Sequence, residues 1–160
     1  MFLFLSICLL GYASSQLAGD MINEPQRNSM INDTTANPKD MKLKITVGNK
    51  ILTATLIDHE TTRAFMEKLP LTLKMTELNG NEKYGNLSEK LPGKAVKAGT
   101  IHAGDLMLWD ADYKCLVLFY KTFSSPYSYV KLGTVDHIGE LEAVLGSGNV
   151  QVRFEQLQEK

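Results

Sequence analysis

Aromatic side chains able to grip a ligand gather in the second half of this 160-residue chain: Tyr84, Trp109, Tyr113, Phe119, Tyr120, Phe123, Tyr127 and Tyr129. Rings set beside a few polar groups bind peptides or small apolar molecules, because the ring supplies apolar area and the polar groups supply direction. Packing must consume some of them. Alternation puts Cys115, Val117 and Phe119 on one face of a strand and Leu116, Leu118 and Tyr120 on the other. Trp109 ends its strand, and Tyr113 and Tyr127 lie in or near loops, positions that line a rim rather than a centre. Trp109, Tyr113, Tyr84 and the loop residue His102 are therefore the candidate ligand-binding residues.

Other chemistry is weaker. His59 and His137 fall at expected helix starts, where side chains are solvated, and no nucleophile–base pair surrounds His102. The serines at 88, 124, 125 and 128 lack a Gly-x-Ser-x-Gly elbow. Asp110 and Asp112 are the best metal pair, but a tight turn explains both acids. No catalytic residue, metal or cofactor is expected. Cys115, alone in an apolar run, reads as a buried and inert thiol.

Charge narrows the partners. Seventeen basic and eighteen acidic residues leave a net charge of -1, which gives no electrostatic case for nucleic acid. The opening MFLFLSICLLGY is almost wholly apolar, too short to span a bilayer, and followed by Ala13-Ser14-Ser15. Residues 1–15 thus read as an export signal; no Lys or Arg follows Met1, which fits a signal truncated at its start. Lipid attachment at Cys8 is the other export reading. It fits poorly, because Ile7 is bulky and the apolar run before the cysteine is short. Residues 16–40 are polar and aperiodic, the composition of a flexible linker.

The elements that would position the aromatic set lie in residues 41–157. Met41, Leu43, Ile45 and Val47 alternate with polar residues. Gly48-Asn49 then suits a type II′ turn. Its closure pairs Val47 with Lys50, Ile45 with Leu52 and Leu43 with Ala54, the register that keeps apolar residues on one face. Asp58 can cap a helix from His59 to Lys68, which Pro70 stops. Strands follow at Leu71–Leu78, near Lys83–Leu87, at Asp105–Trp109, Lys114–Tyr120 and Ser128–Val135. Ser88–Ala103 and Phe123–Tyr127 read as irregular. Asp136 is positioned to cap a short helix with the stripe Ile138, Leu141, Val144 and Leu145, ended by Gly146, and Asn149–Glu155 closes the order. Two short helices cannot cover both faces of so many strands. A mainly β, closed or nearly closed barrel resolves this by removing the sheet edges.

Several segments resemble the cyclophilins. The hairpin followed by Thr61-Thr62-Arg63-Ala64-Phe65 is similar to the family's opening, and Leu132-Gly133-Thr134-Val135-Asp136 to its late turn into a second helix. A bacterial group of cyclophilin-like domains is closer still, through Ile45-Thr46-Val47-Gly48-Asn49, Leu69-Pro70-Leu71-Thr72, Gly104-Asp105-Leu106 with Trp109, and Lys131-Leu132-Gly133. The resemblance implies a cyclophilin-like β-barrel and, with the apolar opening, a periplasmic or secreted protein. One departure stands out. The isomerase cyclophilins carry Phe-His-Arg on a central strand, whose guanidinium stabilises a twisted proline amide. Here the arginines are Arg27, Arg63 and Arg153, none of them in the strands between 71 and 120. Lys74 or Lys83 would replace it poorly, since an ammonium lacks the planar fork. The expectation is a non-catalytic module binding a peptide or small molecule. A peptidyl-prolyl isomerase with an atypical site is the alternative.

Overall fold

A computed structural model describes residues 41–157. The expected export signal, the linker and Cys8 lie outside the described residues. The first hairpin joins β1 (Lys42–Val47) to β2 (Lys50–Leu56). Its register pairs Val47 with Lys50, Ile45 with Leu52 and Leu43 with Ala54, as the turn chemistry demands. Gly48 has φ 58°, the conformation a type II′ turn needs at its first central position.

Next come α1 (Glu60–Met66), β3 (Leu71–Leu78) and β4 (Glu82–Asn86). The chain then forms β5 (Val96–Ile101), β6 (Asp105–Trp109), β7 (Cys115–Phe119) and the long β8 (Phe123–Val135). A short α2 (Leu141–Leu145) and β9 (Val150–Gln156) finish it. The strand order is β2-β1-β9-β3-β4-β7-β6-β8, and β2 returns to β8, so eight strands form a ring with β5 added outside. The fold is mainly β with two short helices, a closed or nearly closed barrel. Gly133 is what lets the ring close: a Cβ there would collide with the Thr55 carbonyl oxygen and crowd Leu56.

The barrel interior holds Leu43, Ile45, Leu106, Leu108, Leu116, Leu118, Val152 and Phe154. Both helices bury into it. Phe65 of α1 meets Phe154 edge-on at 6.2 Å, and α2 inserts Leu141 and Leu145. A second, smaller cluster lies on the outer face of β6 and β7: Met107, Cys115, Val117 and Phe119, with Ile101 and Tyr129 from β5 and β8. The alternation of the 115–120 stretch is thus realised on both faces.

Four local expectations change. The segments read as irregular contain β5 and the first half of β8, which pair with each other as an arm. Gly99 and Pro126 lie at and beside a register shift in an edge pair, where both residues are tolerated. The first helix is capped by His59, whose Nδ1 accepts from the Thr62 N–H at 3.3 Å. Asp58 pairs with Arg63 instead, at 2.8 Å. Asp136 does not cap α2. Its carboxylate accepts from Thr53, Thr55 and Lys42, and Ile138 stays exposed outside the helix.

Candidate functional site

The outer faces of β4, β7 and β6 form the floor on which a site is built. In β4 the side chains of Glu82 and Tyr84 face outward, and between them Lys83 turns inward. Glu82 pairs across with Phe119 and Tyr84 with Val117, while Trp109 lies opposite Tyr129. The arm folds along this face: the Phe119 ring meets Phe123 at 5.7 Å and Tyr129 edge-on at 5.6 Å. Between the arm, Trp109 and the β3–β4 turn opens a cleft of about 540 Å³. Tyr84, Trp109, Phe123, Tyr127 and Tyr129 line it, with Cys115 in the wall and Ser124, Ser125, Asn79, Asn81 and Glu82 as its polar members.

Glu82 governs the electrostatics. It is only 9% exposed, and among the described residues no hydrogen bond or ion pair reaches its carboxylate. Burial, and then the negative charge of Glu77, push its carboxyl up to about 7. The adjacent Asn81 Oδ1 is also buried without a partner. The same burial, with Asp112 and Glu82 nearby, pushes the Cys115 thiol up to about 11, so it is a poor nucleophile. Burial also raises the Tyr129 hydroxyl.

Lys83 belongs to a different environment. It is wholly buried; its ammonium donates to Glu77 and, at 2.7 Å each, to the carbonyls of Gly146 and Gly148. It also lies 5.4 Å from the centre of the Tyr120 ring. Burial works against ionising Glu77, but hydrogen bonds from Lys83 and Tyr120 outweigh it and hold that carboxyl below its usual range.

The four residues expected to bind a ligand separate. Trp109 and Tyr84 line the cleft together. Tyr113 packs against the barrel core with φ 55°, its hydroxyl accepting from Ala95 N–H and its carbonyl from Leu91 N–H. His102 borders a separate depression of about 260 Å³, where its backbone N–H donates to buried Asp105 at 3.0 Å. Asp112 accepts from the N–H groups of Lys114 and Cys115, the geometry of an acid-capped turn. Arg63 and Arg153 pair with surface carboxylates, and Lys74 is exposed on β3; none of the three lines the cleft.

A protein-family model described as the cyclophilin-like family matches residues 45–155. The chain belongs to the cyclophilin-like family. No curated protein sequence matches it. Among solved structures, this cyclophilin-like domain is similar to McbB in complex with tryptophan, with TM-score 0.58 and 14% identity over 74% of this chain and 45% of that one. The domain therefore spans less than half of McbB. It is also similar to the hypothetical protein AF2241 from Archaeoglobus fulgidus, with TM-score 0.53 and 19% identity over 77% of this chain and 99% of that one. At such identities the likeness is one of fold.

Phe123, Tyr127 and Tyr129 belong to the aromatic set read from the sequence but not to the four candidate binding residues, and Glu82 is not expected at a site of this cyclophilin-like domain. A strand begun at Lys83 leaves Glu82 in the turn. Begun at Glu82, period-two spacing sets a carboxylate on the same face as Tyr84, a signal that was present in the sequence.

Proposed function

We propose that this domain is a non-catalytic binding module that holds a small molecule or short peptide in the outer cleft. The observation that carries the reading is the cleft itself: about 540 Å³, five aromatic side chains, and a few convergent polar groups. That volume suits a small organic ligand. Isomerase chemistry would need a donor that follows a twisting amide. The cleft-lining residues include no arginine or lysine, and Lys83 is spent inside the barrel.

Trp109 is the chain's only tryptophan, so its emission reports on the cleft directly. A panel of proline-containing peptides and small aromatic compounds should give a saturable shift with at least one member. Tryptophan, bound by McbB, belongs in the panel and is read by calorimetry. A protease-coupled isomerisation assay should show no acceleration. Emission that stays fixed against the whole panel, or robust turnover, refutes the proposal. Export is part of the same proposal and rests on the apolar opening; a mature chain starting after Ala13 or Ser15 by N-terminal sequencing supports it.

A further inference from the structure

The Glu82 side chain is largely buried, yet its carboxylate lines the cleft and accepts no hydrogen bond from the described residues. Asp and Glu are almost never fully buried unless paired, since an unpaired charge loses its hydration with no return. Glu82 is 9% exposed, faces the cleft, and meets no donor among the described residues. Its neighbour Asn81 also lines the cleft and leaves an acceptor oxygen buried and unpartnered. Both unmet groups accept hydrogen bonds. Tyr84, Trp109 and Tyr127 line the same cleft. A ring face attracts a cation as well as apolar surface.

From this complementarity we infer that the cleft recognises a small protonated amine carried on an aromatic or apolar body, with Glu82 as the residue that selects the charge. The inference rests on the binding reading above and names its ligand class. The ammonium sits against the Glu82 carboxylate and the ring among the aromatic side chains. A volume near 540 Å³ accommodates a free arylalkylamine. Binding is linked to protons. Cys115 from β7, Tyr129 from β8 and Tyr84 on its own strand share the cleft with Glu82, and Glu77 from β3 and Tyr120 just after β7 act on it from the other face of the sheet. Lys83 is already engaged by Glu77. With Glu82 pushed up to about 7, ligand affinity should fall about tenfold for each pH unit below 7, as a proton must first leave the carboxyl.

The test titrates the full chain with 2-phenylethylamine, 2-phenylethanol and 3-phenylpropionate, reading Trp109 emission and heat. At pH 8 the amine should bind at least about tenfold more tightly than the alcohol, and the acid more weakly still. Glu82→Gln should erase the amine's advantage over the alcohol, and a cooperative urea transition of the variant is the control that it is folded. Phenylalanylglycine amide carries an ammonium with a chain behind it; compared on its protonated fraction, since an α-amino group titrates at about 8, it should bind more weakly than the free amine. Equal binding of amine and alcohol, or an amine advantage that survives Glu82→Gln, overturns this inference and leaves the binding module standing. Tighter binding of the dipeptide amide overturns the free-amine assignment. No binding of any aromatic probe overturns this inference, and the peptide panel above then decides the binding reading.

Discussion

Glu82 and Lys83 are neighbours on one strand, both charged and both nearly or wholly buried, yet they answer to opposite rules. Lys83 points into the barrel and meets a carboxylate, two carbonyls and a ring face. Glu82 points out into an aromatic cleft and meets no donor among the described residues. Strand alternation alone sends them to different sides. What differs is completeness. The first charge ties β3 and β4 to the turn after α2, so its burial is structural. The second gains nothing from the fold around it, so its burial is better explained by something that arrives from outside.

The largest effect should come from the completed site. Lys83→Met removes the ammonium, orphans two carbonyls and leaves Glu77 with only Tyr120 and the Gly80 N–H. Removing one partner of a buried pair costs about 3–5 kcal/mol; Glu77 retains some exposure, so about 3 kcal/mol is expected in urea unfolding. The pH profile should change too. Glu77's folded pKa is depressed, so it contributes stability above its unfolded value of 4.5, lost as pH falls through the folded value. In the variant that acid-side slope should flatten. An unchanged midpoint would mean that Lys83 is no more than a buried spectator, and the contrast with Glu82 would collapse.

Glu82→Gln should act in the opposite direction and less strongly. Glu82's folded pKa is raised, so its favourable contribution is complete below 4.5 and disappears as pH rises through about 7. Above that pH the ionised carboxylate is a cost, which the amide does not incur. The variant should gain roughly 1–2 kcal/mol at pH 8 and nothing at pH 4, visible as a pH-dependent rise in Tm. Destabilisation at pH 8 would show that Glu82 has an internal partner after all. A structural residue and a recognition residue would then no longer be separable on this strand.

Much of the frame was legible because it depends on local pattern. The β1–β2 register follows from Gly48-Asn49 and one apolar stripe, and the two faces of residues 115–120 follow from alternation. The helix cap was read one residue early, because Asp is the commoner cap and the bond from His59 Nε2 to the Lys131 carbonyl at 2.9 Å is a long-range contact. The cleft was only half legible for the same reason. Trp109 and Tyr84 were foreseen from their own strands. Phe123, Tyr127 and Tyr129 reach the cleft only because β5 pairs with β8, a non-local match across a bulge. Tyr113 looked like a rim residue, but its turn backbone aims the ring at the core.

The smallest stability effect, and the sharpest separation of the two regions, belongs to Tyr127. It lines the cleft from the arm and is 59% exposed, so little apolar surface is lost when it is truncated. Tyr127→Ala should change unfolding free energy by no more than about 0.5 kcal/mol. Its ring should matter to a ligand nonetheless, because aromatic contacts contribute about 0.5–1.5 kcal/mol beyond burial, or roughly two- to twelvefold in Kd. The expected pattern is therefore a nearly silent urea curve beside a weakened titration of the Trp109 emission. If Tyr127→Ala instead unfolds the arm, as a large fall in Tm would reveal, the cleft wall is part of the structural core. The division between a finished interior and an unfinished outer face would then have to be drawn elsewhere.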